Sequence, residues 1–582
     1  MHLERLNQLE ARKRDSLRLT SGRFLPLIFL HDGLVGPKED NLQSYWNAWH
    51  FNKSICNANE TLFFTKDLFY PSGTSLLLHT LSPLNLSLEF IFSRIFSLSY
   101  SYNLVVFLSF LLSAYFTFLL CLYFTKNKWA SFAGGMIFAF SPYHFAHTLH
   151  HINLTGIYFF PLLALFFFKL KDEPSKKYTL LLSLILLLIA FTDYYYLIYS
   201  FAFLFLGLVY FIFFLRETDK KFFRYTIYAV IIAILIISPL IVSTLLELKN
   251  HTYWKYHVGY NTFVLDIFSF ITPAVWHPVF GEIAKKIYSR FTGNFHESTG
   301  YLGITTLFLF IFCWIKNKGR QKYKSFFILL LLITSVLSLG PTLHILGYHS
   351  ISLKHLLIRN WRIDEVLNSY GYHNKHIGIP LPYYLLTKIP ILNMLEDSSR
   401  CIILGYLSLS VLAAVGLKEL LEKLNKRKKA IIYSIILNLI IFEYLAIPLE
   451  YTKVEVPSFY YTIAKDNSTY AIFDIPCNTN YIANNEFMFL QTIHDKKILF
   501  ANISRASKDM YTFLLSTGLF EFCHLSNLNL LNNDVLKDNR IKYIILHKDY
   551  LKEDEIVSLT DRLKYNFNHT FEDKEISVYQ VY

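Results

Sequence analysis

Charge is scarce in this chain. Asp, Glu, Lys and Arg make up 17% of its 582 residues, below the ~25% usual for soluble domains. Cysteine is scarcer still. Six are scattered at Cys56, Cys121, Cys313, Cys401, Cys477 and Cys523, with no CxxC pair. That spacing predicts neither a disulfide framework nor a structural zinc site. A P-loop, a GxGxxG and a nucleophile elbow are all missing, so nothing points to nucleotide hydrolysis. The net charge of +13 raises nucleic acid as a partner. The basic residues, however, sit in short clusters between apolar runs, which is the pattern of membrane insertion. No nucleic-acid partner is expected.

What the chain does have is apolar surface. Hydrophobic residues reach 53% and aromatic residues 18%, with a mean hydropathy of +0.33. The apolar runs lie between Tyr102 and Ile447, and the segment after Pro448 reads like a soluble protein. Ten runs fall at 102–125, 130–146, 155–168, 178–191, 195–215, 225–246, 301–315, 325–345, 401–417 and 430–447. With short flanks they suit a hydrocarbon core of ~30 Å. An eleventh, poor span is expected at 17–36, where Arg18, Arg23, His31 and Asp32 surround a small apolar core.

Lysine and arginine set the orientation. Loops 126–128, 169–177, 216–224, 316–324 and 418–429 hold 21 of them in 42 residues, whereas loops 247–299 and 346–398 hold 10 in 106. The basic set belongs on the cytoplasmic side. The expectation is therefore an α-helical polytopic protein of the cell membrane with about ten or eleven transmembrane helices. Its N-terminus is cytoplasmic and its C-terminal α/β domain extracytoplasmic. Residues 1–449, including an external loop at 37–100, form the membrane domain, and 450–582 the outer domain. Strand-like runs at 470–475, 543–546 and 576–582, with a helical stretch at 553–565 between them, support that last assignment.

Several polar groups gather at the outer helix ends. Glu39 and Asp40 precede an amphipathic run with Leu42, Tyr45, Trp46 and Trp49 on one side. They read either as a cap on an interface helix or as a carboxylate held as general base. His144, His147, His150 and His151 suit interface hydrogen bonding or contact with a phosphate. Metal ligation lacks a cysteine or carboxylate to complete the set. Asp193 is either a paired, functional acid or a helix-end acid that reaches water. Glu396-Asp-Ser-Ser-Arg400 opens a helix. Its free N–H groups and the Arg400 fork suit an anion, and the alternative is a snorkelling arginine. Glu443 reads as structural.

The order of these pieces resembles the GT-C superfamily of polytopic glycosyltransferases, in an uncharacterised prokaryotic branch. The matching pieces begin with Glu39-Asp40 and Tyr-Trp-Asn-Ala-Trp at 45–49, then Leu-Phe-Tyr-Pro-Ser-Gly at 68–73. His-Thr-Leu-Ser-Pro-Leu-Asn at 79–85, Ala-Phe-Ser-Pro-Tyr-His-Phe-Ala-His at 139–147 and Glu-Ser-Thr-Gly-Tyr-Leu-Gly at 297–303 follow. The rest are Leu-Pro-Tyr-Tyr-Leu-Leu at 381–386 leading to Arg400, Gln-Thr-Ile-His-Asp-Lys-Lys at 491–497, and Tyr-Ile-Ile-Leu-His-Lys-Asp at 543–549. The likeness is weakest at the first span, whose first half is polar.

The resemblance implies hexosyl or pentosyl transfer from a polyprenyl-phosphate sugar on the outer face. The acceptor would be a hydroxyl on a glycan, lipid or protein. Asp40 matches the superfamily's catalytic acid. Phosphate is already a good leaving group, so one carboxylate base suffices and the displacement inverts the sugar centre. Glu39, His147, His151, Asp193, Glu297 and Arg400 are the expected substrate-binding residues. No cofactor is expected, and a divalent metal is not indicated. Two other readings stay open: a transporter or flippase of lipid-linked sugars, and a catalytically silent membrane scaffold. Transporters place binding groups near the midplane within repeated halves. Here the polar groups lie at outer ends and no internal repeat is visible.

Overall fold

The computed structural model describes residues 33–58, 60–253, 259–316, 323–348, 351–352, 376–390, 392–477, 480–523 and 532–582. The expected first span at 17–36 lies almost wholly outside them. Helix covers most of each of the ten other apolar runs, although that at 325–345 leaves helix after Ser338 and that at 301–315 enters it at Ile304. The outer loop holds α1 (Asp40–Cys56) and α2 (Pro83–Phe92), and the membrane helices begin with α3 (Leu98–Thr125). They continue through α4 (Lys128–Ala139), α5 (Pro142–Thr148), α6 (Phe159–Asp172), α7 (Lys176–Ala190), α8 (Tyr194–Phe213) and α9 (Lys220–Asn250). The last four are α10 (Ile304–Lys316), α11 (Lys324–Ser338), α12 (Ile402–Glu422) and α13 (Lys426–Glu443).

Short polar side chains start these helices. Ser97, Asn127, Ser175, Asp193, Asp219 and Asn425 each accept backbone N–H groups from the first turn that follows. Such caps satisfy donors that have no intrahelical partner. Among the described residues, five helical stretches are long and apolar enough to cross a membrane: Leu98–Thr125, Ile152–Asp172, Tyr194–Phe213, Lys220–Asn250 and Ser398–Glu422.

One expected span is interrupted. The run at 130–146 ends as α4 at Ala139 and restarts as α5 at Pro142. Pro142 has no N–H to continue the ladder, and Ser141 caps the new helix through the His144 N–H. This break puts His144 and His147 on a separate short helix, with His150 and His151 in the turn that follows it.

Helix α12 forms the centre. It is enclosed over nearly its whole length, whereas α9 faces outward over most of its own. Without water to exclude, helices in lipid associate through close packing, and small residues permit it. Gly416 shows the need. A Cβ there would lie 2.1 Å from the Leu309 carbonyl oxygen of α10.

The C-terminal part is a small α/β layer. β1 (Leu34–Val35) pairs with β2 (Tyr451–Thr452), tying the outer loop to the chain leaving α13. Beyond it lie β3 (Ala471–Ile475), β4 (Lys497–Ile498), β5 (Ile541–His547), β6 (Asn568–Glu572) and β7 (Ile576–Gln580). They form one sheet in the order β6-β7-β5-β3-β4, with β3 parallel to both β4 and β5. Two helices cover it, α14 (Tyr481–His494) and α15 (Glu553–Asn566). The three expected strands are therefore present.

Two expectations are corrected. Cys477 beside β3 is disulfide-bonded, while Cys56, Cys121, Cys313 and Cys401 are free. A single bond needs no framework spacing, so the scattered pattern hid it. Trp46 does not face lipid. It is fully buried, and its Nε1 donates to Gln491 Oε1 of α14 at 2.7 Å. An amphipathic indole suits a protein surface as well as a membrane boundary.

Candidate active site

The site lies where α1, the turn after α5, the 294–299 turn and the start of α12 converge. Glu39 and Asp40 open α1. The chain before them is pinned by Gly36, whose N–H donates to Glu450 O at 2.8 Å and whose φ is +104°. A Cβ at Gly36 would sit 2.0 Å from the Leu149 carbonyl oxygen. That contact seats the acidic loop directly on the histidine turn. Gly36→Ala should therefore push the two apart. The expected result is a chain that is degraded or aggregates on solubilisation, checked by fluorescence size-exclusion against the unmutated protein. A monodisperse, normally expressed variant would show that the contact is dispensable.

Asp40 is one-third exposed. Its Oδ2 lies 3.3 Å from His151 Nδ1, and its Oδ1 accepts from Asn485 Nδ2 at 3.3 Å. Burial works to raise the Asp40 pKa. The His151 bond and charge, His150 and Asn485 outweigh it and hold the carboxyl below its usual range. His151 responds in the opposite sense. Burial lowers its pKa, but the Asp40 bond wins and the imidazole titrates above its usual value. Both shifts favour the charged forms of the two partners.

His151 also faces Glu297. Its Nε2 is 3.7 Å from Glu297 Oε1, and His147 Nε2 is 4.0 Å from Oε2. Glu297 is 2% exposed and carries three donors. Arg400 Nη2 and Nε reach Oε1 at 2.6 and 3.0 Å, and Ser399 Oγ reaches Oε2 at 2.8 Å. Burial disfavours the Glu297 anion, yet the Arg400 charge keeps its pKa well below the ordinary range. Arg400 Nη1 also contacts Asp397 Oδ2 at 3.1 Å, and its guanidinium lies 5.1 Å from the Tyr195 ring centre. Asp40, His151, Glu297, Arg400 and Asp397 thus place acidic and basic groups in turn along one line.

The structure brings together Asp40, His147, His151, Glu297 and Arg400. Glu39 joins them through His150, whose Nδ1 is 3.0 Å from Glu39 Oε2. Asp193 is engaged differently. Its Oδ1 caps α8 at the Tyr195 and Tyr196 N–H groups, and its Oδ2 accepts from Asn153 at 2.8 Å. His144 points away and is satisfied by Ala139 O and Ser109. Glu443 accepts from the Thr305 N–H and hydroxyl at the start of α10, a structural use. Sequence reasoning missed Asn485, Asn502 and His296. Asn502 Nδ2 donates to Asn485 Oδ1 at 2.9 Å, which turns the Asn485 amide N–H toward Asp40. No local pattern marks these asparagines.

Residues 26–363 match the family described as "Domain of unknown function (DUF6311)", more than half of the chain. The chain belongs to this family. No curated protein matches the chain. The fold is similar to that of the arabinofuranosyltransferase AftD from Mycobacteria, at 13% identity and a TM-score of 0.58, over 95% of this chain and 39% of that one. A mutant form of AftD gives 12% identity and a TM-score of 0.56, over 95% and 40%. ArnT from Cupriavidus metallidurans in the apo state gives 11% identity and a TM-score of 0.41, over 96% of both chains. The chain shares its fold with AftD, and it spans about two-fifths of the length of AftD.

Proposed function

We propose that this DUF6311 protein is a membrane glycosyltransferase that uses a polyprenyl-phosphate sugar on the extracytoplasmic face. One observation carries the reading. Asp40 sits at the head of α1, partly exposed and fixed from both sides by His151 and Asn485. A general base must be both held and reachable. In the proposed step the acceptor hydroxyl oxygen attacks the anomeric carbon and Asp40 takes its proton. The glycosidic electron pair leaves with the lipid phosphate, and the sugar centre inverts.

The remaining roles follow from position. Arg400 keeps N–H groups beyond those given to Glu297 and Asp397, so it can also face the donor phosphate together with His147 and His151. Glu297 and Glu39 orient the sugar and acceptor through the histidines, and Asp193 sets the rim by fixing α8. Residues 1–449 make up the membrane domain, and 450–582 close the acceptor side. The donor is lipid-linked, and the acceptor is a glycan, lipid or protein hydroxyl.

Purified chain in lipid nanodiscs, offered a panel of polyprenyl-phosphate hexoses and pentoses together with envelope glycans, lipids and proteins as hydroxyl acceptors, should release free polyprenyl phosphate from at least one. Release from none, with the protein intact, would oppose the reading. The sidedness has its own check. Reporters at Lys426 and after Tyr582 should read cytoplasmic and external, as the loop charges require. The bonded Cys477 agrees with an oxidising outer compartment. A cytoplasmic C-terminus would place Asp40 on the wrong face for this reaction.

A further inference from the structure

Three contacts tie the segment 265–283 to the ends of three membrane helices. The Leu265 N–H donates to the carbonyl oxygen of Ser338, the last residue of α11, at 2.9 Å. The Leu302 N–H, just before α10, donates to the Phe270 carbonyl oxygen at 3.0 Å. His277 supplies the third contact. Its Nδ1 accepts the Val279 and Phe280 N–H groups, each at 3.1 Å. The ring proton is then left on Nε2, which donates to the carbonyl oxygen of Phe442 in the last turn of α13 at 2.8 Å. The depth of the segment is therefore set by the level at which α10, α11 and α13 end.

At that level the segment turns apolar side chains outward. Ile271, Val279 and Ile283 are 57%, 59% and 63% exposed, and Ile267, Phe268 and Phe280 are exposed as well. The short helix Gly281–Tyr288 spends its inner face on the protein, burying Gly281, Ala284 and Tyr288. Ile283 is left on the outside beside Lys285 and Lys286. Single exposed apolar residues are ordinary, but a contiguous group of them marks an interaction surface. This group continues the outward faces of the membrane helices. The Phe280 and Phe442 rings lie 6.1 Å apart, and Phe442 and Ile304, at the ends of α13 and α10, are themselves exposed.

We infer that residues 265–283 and the short helix after them are an interfacial anchor, with Ile271, Val279, Phe280 and Ile283 covered by phospholipid. Charge favours this cover. Lys285 and Lys286 follow the apolar group, and long cationic side chains beside an apolar face reach back to lipid phosphates. The anchor is joined to the Asp40 site by packing. Val275, Ala284, Tyr288 and Phe291 form a small core behind it, and Phe295 packs on that core at the head of the turn that carries Glu297. The lipid surface thus sets the height of Glu297. The sequence reading placed all of 247–299 in an external loop, because no apolar run there is long enough to cross. The inference does not rest on the transferase reading, since its readout is depth in the bilayer.

The test uses the full chain in phospholipid nanodiscs. Cys56→Ser removes the exposed free thiol, and Cys121, Cys313 and Cys401 are buried. On that background a nitroxide is attached at Ile283→Cys, at Phe308→Cys on α10 and at Ser558→Cys on α15. The Cys56→Ser chain without an added cysteine gives the background signal. The Ile283 label should be open to oxygen dissolved in lipid and shielded from a water-soluble nickel chelate, as at Phe308. Its depth should be about 5–10 Å below the phosphates, the usual depth of an interfacial helix. The Ser558 label should show the reverse accessibility. Val279→Cys, read in the same way, keeps the test decisive should Ile283→Cys fail to assemble. Labels at Ile283 and Val279 as open to the nickel chelate as that at Ser558 would put the segment in water and overturn the proposal. Immobilised labels shielded from both reagents would overturn it too, in favour of a second protein surface.

Discussion

Asp40→Asn lowers sugar transfer by about 10² to 10⁴-fold, the usual effect of losing a general base. The substitution is chosen for its narrowness. Asn keeps the size and polarity of Asp, and its oxygen can still accept from Asn485 and His151. Proton acceptance is lost, together with the charge that faces His151. The variant should therefore express, solubilise and bind donor like the unmutated chain, so that the loss falls on the turnover step. A transfer rate equal to that of the unmutated chain at matched protein level would place the base elsewhere. Asp193 would then be the next carboxylate to examine, although its two oxygens are held by the α8 N–H groups and Asn153.

Arg400→Ala has the second large effect, and it falls on stability. Glu297 and Asp397 are side chains with 2% and 15% exposure, both paired to the Arg400 guanidinium. Removing the guanidinium leaves two carboxylates in a poorly hydrated cleft with like charge. Breaking a buried pair from one side destabilises by about 3–5 kcal/mol. The expected result is a clear fall in the temperature at which the detergent-solubilised chain aggregates. Arg400→Lys should recover only part of it, because an ammonium cannot reproduce a planar fork that contacts Glu297 and Asp397 together. Arg400→Ala combined with Glu297→Gln should be less harmful than the sum of the two single changes, since the buried charge goes with its partner. An aggregation temperature unchanged in Arg400→Ala would show that solvent already screens the pair.

The membrane helices were legible because their signal is local. Apolar length and flanking lysines are written in consecutive residues. The Ser141-Pro142 break is local too, yet the sequence reading passed a single span through 130–146. Asp40 and the Glu297–Arg400 region were also visible as residue types at helix ends. Their connections were not. Asp40 meets Asn485 across 445 residues, Glu297 meets Arg400 across 103, and Glu39 meets His150 across 111. Such contacts are set by how helices pack, and no periodicity along the chain encodes them. Trp46 shows the same limit. The expected apolar side does not match the burial, since Asn41, Gln43, Ser44 and Asn47 are buried on this helix while Tyr45 and Trp49 are half-buried, and only the fold shows that α14 covers Trp46.

The central claim is that this chain adds a sugar at the outer membrane face through Asp40. Its most direct test is mass analysis of surface glycans, comparing cells that lack the gene with the same cells complemented by the unmutated chain or by Asp40→Asn. The account predicts that one sugar residue is missing without the gene, returns with the unmutated chain, and stays missing with Asp40→Asn produced at the same level. Identical glycans in all three, or full restoration by Asp40→Asn, would contradict it.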